Sequence, residues 1–266
     1  MLKMTGTIGL IGAGNMAHAL IQGLLAHDTI PSQLFLYDHH LEKSATLAKI
    51  YGIQSVMQLS DLIEQSNTVI FTVKPASLEQ LCKAIQMTSF TYPSLWISVA
   101  AGVCTTTIEN FLQKKIALVR AMPNISVACG VGATGLYANE QVSIAQKALS
   151  TTLFNAVGIT LWVDNENTLD TVTAVSGSGP AYFFYFLEAL LQGALSLGLS
   201  EEVARALILQ TAQGAITLAT TTVDWSHLRR QVTSHGGTTA AAIAVLKNGN
   251  FQTLIENALH AAKQRA

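Results

Sequence analysis

A doubly wound α/β domain followed by an all-helical one is the fold class this chain predicts, on three observations. Through about residue 160, short aliphatic or β-branched runs alternate with helical stretches, the pattern of parallel strands joined by crossover helices. The first of those runs flows straight into a glycine-rich turn and a helix. Beyond about residue 164 no convincing strand is found, and Ala- and Leu-rich runs recur at helical spacing.

Taken in order, the expected strands are Thr7–Ile11, Leu34–Tyr37, Thr68–Val73, Leu95–Val99, Ala117–Ala121 and Ile159–Val163. Helices such as Asn15–Ala26, Leu41–Tyr51 and Ser77–Gln86 lie between them. In the second half, Gly198 can end a long helix in the left-handed conformation, and Ser200 can cap the next, with Glu201 and Glu202 in its first turn. Asp224 can cap another, and Asn248-Gly249-Asn250 reads as a turn before a final helix. The boundary is placed between an α/β domain over 1–163 and a helical domain over 164–266, without a low-complexity linker or an internal repeat.

Composition narrows the partners. Half of the 266 residues are apolar and only 12% are charged, against roughly 25% in ordinary soluble proteins. So few charges predict that some apolar surface is buried against another subunit. The net charge is −1 and no basic block occurs, which argues against nucleic acid or an acidic membrane surface. Residues 181–198 are apolar, but Glu188 and Gln192 sit mid-segment on one helical face. A charge at the bilayer centre is costly, so a buried or subunit-interface helix is expected instead of a membrane span. Cys82, Cys104 and Cys129 have no metal-ligand spacing, and the adjacent His39 and His40 form no HxxxH-type pair. No metal is expected. The N-terminus lacks a signal peptide's apolar stretch and cleavage site, so a cytoplasmic location is expected.

The strongest local signal is Gly12-Ala13-Gly14-Asn15-Met16-Ala17, a GxGxxA turn between strand and helix. Gly12 permits the tight turn, Gly14 lets backbone approach a pyrophosphate, and Ala17 lets the helix pack on the strand. The helix N-terminus offers free amides and partial positive charge to phosphates. This makes the first domain Rossmann-like. Asp38 ends the second expected strand. It can accept a bond from the adenine ribose and favour NAD(H), or it can cap the following helix. Only His39, His40 and Lys43 stand ready to meet the 2′-phosphate of NADP(H). The loops Thr72-Val73-Lys74-Pro75 and Ser98-Val99-Ala100-Ala101-Gly102 suit a floor beneath ribose and nicotinamide, or are ordinary loops. Two glycine–hydroxyl clusters, 176–182 and 232–239, each precede a helical run. They can seat a carboxylate or simply start a helix.

The segments GAGNMA, TVKP, SVAAG, RAMPN, DTVTAVSGSGPAY and VTSHGGTTAAAI stand in the order found in pyrroline-5-carboxylate reductases, and the chain resembles that family over nearly its whole length. The resemblance implies a Rossmann domain plus a helical dimerisation domain, often a pentamer of dimers. It implies reduction of 1-pyrroline-5-carboxylate to L-proline, usually with NADPH. It places Ile11, Gly12, Ala13, Gly14, Asn15, Met16, Thr72, Val73, Lys74, Pro75, Val99, Ala100 and Ala101 at the cofactor, His39 near the 2′ position and Gln231 at the nicotinamide end. Ser234, Gly236, Gly237, Thr238 and Thr239 would hold the substrate, with Thr239 as the catalytic residue. The chain departs from the family pattern at His235, at Ile125-Ser126, at Asp224-Trp225 and at Arg230. Other classes are a different imine reductase or β-hydroxyacid dehydrogenase, and a non-catalytic dinucleotide-binding relative. Against the dehydrogenase, the helix PAYFFYFLEAL carries no lysine.

Overall fold

The computed structural model describes residues 6–27, 29–88 and 93–266. Its sheet has eight strands: β1 (Ile8–Ile11), β2 (Leu34–Tyr37), β3 (Gln54–Ser55), β4 (Thr68–Phe71), β5 (Leu95–Ser98), β6 (Leu118–Met122), β7 (Gly132–Ala138) and β8 (Gly158–Trp162). They lie in the order β3-β2-β1-β4-β5-β6-β7-β8. All pairings are parallel except β6 with β7. The sheet is thus doubly wound, and the direction of winding reverses beside β1, between β1 and β4.

Side chains of successive strand residues point to opposite faces, which divides the core in two. Leu10, Leu36, Ile70, Ile97 and Val119 pack with α1 (Asn15–Ala26), α2 (Leu41–Tyr51) and α6 (Ile144–Asn155). Ile11, Phe35, Val69, Phe71, Trp96 and Leu118 pack with α3 (Leu59–Gln65), α4 (Leu78–Gln86) and α5 (Thr105–Leu112). Phe71 and Trp96 stack with ring centroids 5.0 Å apart. Burial on both faces explains why these strands read as continuous apolar runs.

The six expected strands and the three expected helices form within two residues of their anticipated ends. β3 and β7 are additional. β7, Gly-Ala-Thr-Gly-Leu-Tyr-Ala, resembles a loop because glycine weakens strands. Here the glycines answer to neighbours: a Cβ at Gly135 would come within 2.8 Å of the Val172 side chain.

The helical half comprises α7 (Thr168–Val172), α8 (Gly179–Ser196), α9 (Glu201–Ala219), α10 (Trp225–Gln231), α11 (Thr238–Asn248) and α12 (Phe251–Arg265). Gly198 adopts φ +92, the Ser200 side chain accepts the Val203 amide, and Asp224 accepts the His227 amide, so the anticipated stop and caps all form. Asn250 has φ +55, in the turn between α11 and α12. The chain divides into two compact units, one of residues 1–180 and 262–266, the other of 181–261. The sheet itself ends at Trp162.

None of the described helices is long and apolar enough to cross a membrane. Phe183, Phe186, Leu190, Leu207 and Ile216 line an open groove of about 760 Å³ in the second unit. Phe183 is 62% exposed, so the apolar helix is not buried within the chain.

The cluster 176–182 leads into α8 as expected, with Gly179 its first residue and Pro180 in its first turn, but what precedes it is another helical turn. A π-helical turn, Thr173–Gly177, joins α7 to α8, and the Ser178 amide donates to the Thr173 carbonyl. The Ser178 amide is therefore spent within the chain. Pro180 cannot donate to the Ser176 carbonyl. The Asn124 side-chain amide does so instead, at 3.2 Å, and also donates to the Ser176 hydroxyl at 3.3 Å.

Candidate active site

Four adjacent parallel strands, β2, β1, β4 and β5, bring Asp38, Gly12, Thr72 and Val99 to one edge of the sheet. This edge lies at the carboxyl ends of the strands, beside the reversal in winding, where open α/β sheets bind ligands.

The glycine turn is held from both sides. The Gly12 amide donates to the Tyr37 carbonyl at 2.7 Å. The buried Thr72 hydroxyl lies 2.9 Å from the Ile11 carbonyl and 2.7 Å from that of Gly12, and serves both. Gly12 has φ +110, and a Cβ there would fall 2.9 Å from the Thr72 backbone. Glycine alone meets both demands. Gly14 differs: it is extended (φ −86, ψ −176) and exposed, and a Cβ would meet only the Thr72 carbonyl oxygen, at 4.0 Å. The space above Gly14 is open. No side chain caps α1, so its first amides are left to an incoming acceptor. An uncapped helix start beneath open space suits a dinucleotide pyrophosphate, and the residues present fit that group.

Asp38 closes the turn on its β2 side. Its Oδ2 accepts the Ala13 amide at 2.8 Å, and its Oδ1 accepts the His40 amide at 2.8 Å. Burial pushes this carboxyl's pKa up, but the Ala13 and His40 amides and the nearby imidazoles outweigh that and hold it below its ordinary value. His39 and His40 are exposed, with ring centroids 3.8 Å apart. Their Nδ1 atoms lie 3.3 and 3.4 Å from Asp38 Oδ1. Asp38 does not cap α2, whose N-cap is His40.

The remaining cofactor-side residues lie along the same edge. Thr72 and Ala100 are buried, Val73, Val99 and Ala101 half-buried, and Lys74 and Pro75 exposed at a short 3-10 turn. Nearby, the buried Arg120 reaches Asp170 at 3.1 Å and Glu166 at 3.6 Å, while Glu166 accepts the amide and hydroxyl of Thr105 at the start of α5. This network joins three elements and carries no local sequence signal.

In the second unit, Ser234, Gly236, Gly237, Thr238 and Thr239 converge on the start of α11. Gly236 has φ +68, and the Gly237 amide donates to the Ser234 carbonyl at 3.1 Å. Gly237 is the N-cap, and no side chain caps the helix. Thr239 therefore occupies the second helical position, half-buried, and is not the cap. Gln231 ends α10 and is exposed.

Two of the four family departures, Asp224-Trp225 and Arg230, form one cluster. Asp224 Oδ1 accepts the Ser226 hydroxyl at 2.7 Å and the His227 amide at 2.9 Å, and Arg230 lies 3.5 Å from Oδ2 while donating to the Ser226 hydroxyl at 2.8 Å. The Trp225 indole donates to the Ala219 carbonyl. The Ser226 hydroxyl, the His227 amide and Arg230 hold the Asp224 carboxyl below its ordinary range. Ile125 and Ser126 open a short 3-10 turn that packs on α1, and His235 is exposed.

Comparison with known proteins adds the following. Residues 166–266 match the family model described as pyrroline-5-carboxylate reductase dimerisation, and residues 7–102 match that described as NADP oxidoreductase coenzyme F420-dependent. A pyrroline-5-carboxylate reductase of Pseudomonas aeruginosa is 42% identical over 98% of this chain and 96% of its own. The structure of a pyrroline-5-carboxylate reductase from Coxiella burnetii aligns with TM-score 0.86 and 38% identity, over 98% of this chain and 97% of the other. The Plasmodium falciparum pyrroline carboxylate reductase with NADP bound aligns with TM-score 0.88 and 26% identity, at the same coverages.

Proposed function

This chain belongs to the pyrroline-5-carboxylate reductase family, and from that premise we propose how its residues divide the work. The protein reduces 1-pyrroline-5-carboxylate to L-proline with NADP(H). The observation that carries the assignment is identity running through both halves of the chain without a missing part.

Bound NADPH supplies the hydride that reaches C5 of the substrate imine. The chain's own residues bind and align. Gly12 and Gly14 leave room for the pyrophosphate, Ala13 holds the turn through its amide, which donates to Asp38, and the amides of Asn15 and Met16 meet the pyrophosphate. Ile11, Thr72, Val73, Lys74, Pro75, Val99, Ala100 and Ala101 floor the ribose and nicotinamide, with Gln231 at the nicotinamide end. Ser234 and the amides of Gly236, Thr238 and Thr239 bind the substrate carboxylate, since an uncapped helix start favours an anion. Gly237 shapes the loop through the bond from its amide to the Ser234 carbonyl. The Thr239 hydroxyl bonds the ring nitrogen, and because it can donate or accept it serves imine and amine alike. Fixing carboxylate and nitrogen together decides which face of the imine is presented. A protonated imine is already electrophilic, so alignment carries the rate without a strong catalytic acid.

The exposed apolar groove of the second unit supports self-association as a homodimer, and the family resemblance implies a pentamer of such dimers in the cytoplasm. Pure protein mixed with pyrroline-5-carboxylate and NADPH, then with NADH, tests the reading through absorbance of the reduced cofactor. Substrate-dependent oxidation is expected, and its absence with both cofactors would reject the reductase.

A further inference from the structure

We propose that Glu166 is a positioning residue for the cofactor: by capping α5 and pairing with Arg120, it fixes the loop 99–104, which carries Val99, Ala100 and Ala101 to the nicotinamide end. This rests on the cofactor placement given above.

The loop leaves β5 at Ser98 and enters α5 at Thr105. A helix start leaves amides unpaired, and Cys104, the N-cap of α5, makes no side-chain cap. Glu166, 61 residues beyond Thr105, supplies what Cys104 does not. Its Oε1 accepts the Thr105 amide at 2.7 Å and its Oε2 the Thr105 hydroxyl at 2.9 Å. A carboxylate also suits the positive end of a helix. Arg120 lies 3.6 Å from the same Oε1 and 3.1 Å from Asp170 Oδ1. At 3% exposure its guanidinium depends on these acids, because an unpaired buried charge is costly. On β6, Arg120 stands in register with Ser98, the last residue of β5. The loop therefore starts beside Arg120 and ends on Glu166, and one ion pair ties its two ends together. Glu166 is not among the residues placed at the cofactor, so its influence runs through the loop. Asp170 shares Arg120 but, among the described residues, has no bond to the loop.

The test is calorimetric titration with NADPH and, in parallel, with adenosine 2′,5′-bisphosphate, which lacks the nicotinamide end. Glu166→Ala is expected to weaken NADPH about tenfold, the scale of one lost hydrogen bond to a charged group, and to leave the bisphosphate unchanged. Glu166→Gln should recover most of the NADPH affinity, since a carboxamide oxygen still accepts the Thr105 amide and its nitrogen donates to the Thr105 hydroxyl. Thr105→Val keeps the Arg120–Glu166 pair and so spares the fold; it should weaken NADPH severalfold with the same selectivity. Asp170→Ala should lower the melting temperature while NADPH affinity holds. Unchanged NADPH affinity in both Glu166→Ala and Thr105→Val overturns the proposal alone. So does equal weakening of the two probes, or an Asp170→Ala protein that loses as much NADPH affinity as Glu166→Ala. Failure of the wild type to bind NADPH overturns the cofactor placement as well.

Discussion

The Thr72 hydroxyl lies 2.7 Å from the carbonyl oxygen of Gly12, so the end of β4 holds the glycine turn that follows β1. The Ile11 carbonyl keeps the Thr72 amide if this hydroxyl is lost, whereas among the described residues the Gly12 carbonyl has only the Thr72 hydroxyl. Thr72→Val keeps the shape and removes the bond. It should cost about 1–2 kcal/mol of stability and weaken NADPH severalfold through a looser turn. Thermal unfolding and calorimetric titration on the same protein check both effects, and unchanged NADPH affinity would separate the turn from the site.

Gly14→Val should abolish cofactor binding and spare the fold. The backbone at Gly14 is extended, which any residue adopts, and a Cβ there meets nothing closer than 4.0 Å. The valine methyls would instead fill the space assigned to the pyrophosphate. Quenching of intrinsic fluorescence by NADPH should vanish while the melting temperature holds. Wild-type affinity would remove this turn from the site.

Thr239→Ala should lower turnover by roughly ten- to a thousandfold, on the order of one directed hydrogen bond lost in the transition state. Cofactor affinity should hold. Thr239→Ser should recover part of the loss. The position of Thr239 one residue beyond the first turn's start, with Gly237 as the cap, means that Ala should not bring the cost of a lost cap, about 1 kcal/mol. Turnover and melting temperature measured together decide the matter. A destabilised Ala protein with unaltered turnover would leave Thr239 a structural residue.

Leu190→Arg tests assembly. Leu190 is 41% exposed on the apolar groove, so arginine is tolerated in the lone chain and costly only where a partner covers it. Light scattering should show the wild type as an oligomer and the variant as smaller species with retained helical circular dichroism. A wild-type protein that is monomeric and active would defeat the interface.

The Asp224–Arg230 cluster should make these two sites non-additive. Asp224→Ala removes the α10 cap and also strands Arg230, so the Arg230→Ala change should cost less melting temperature in that background than in wild type. The low-lying Asp224 carboxyl means its contribution is present above its unfolded-state pKa and is lost as pH falls through the still lower folded-state value. Melting profiles of the four proteins at neutral and acidic pH check this. Simple additivity at neutral pH would show that the two residues act apart.

Short-range features were legible in the sequence. Gly198, Ser200 and Asp224 do what they do through partners within a few residues, or through their own backbone conformation, and the positive φ of Gly12 is likewise local. The buried strands were legible for a related reason, since burial on both faces demands apolar residues at every position. Partners distant in sequence were not. The Ser-Gly-Ser-Gly-Pro run marks the start of α8 correctly, at Gly179, but gives no sign of the π-helical turn directly before it. The donor Pro180 lacks is supplied by Asn124, which sits 52 residues before Ser176. β7 is a strand because its backbone pairs with β6 and β8, not because its own residues favour one. Asp38 could be identified as an acid at the right place, but the orientation of its oxygens depends on the Ala13 amide across the turn. Local propensity and burial pattern are written into consecutive residues. Which polar group satisfies which, and which apolar face is left uncovered, is decided only when distant segments come together, because a hydrogen bond or a contact depends on distance in space and not along the chain.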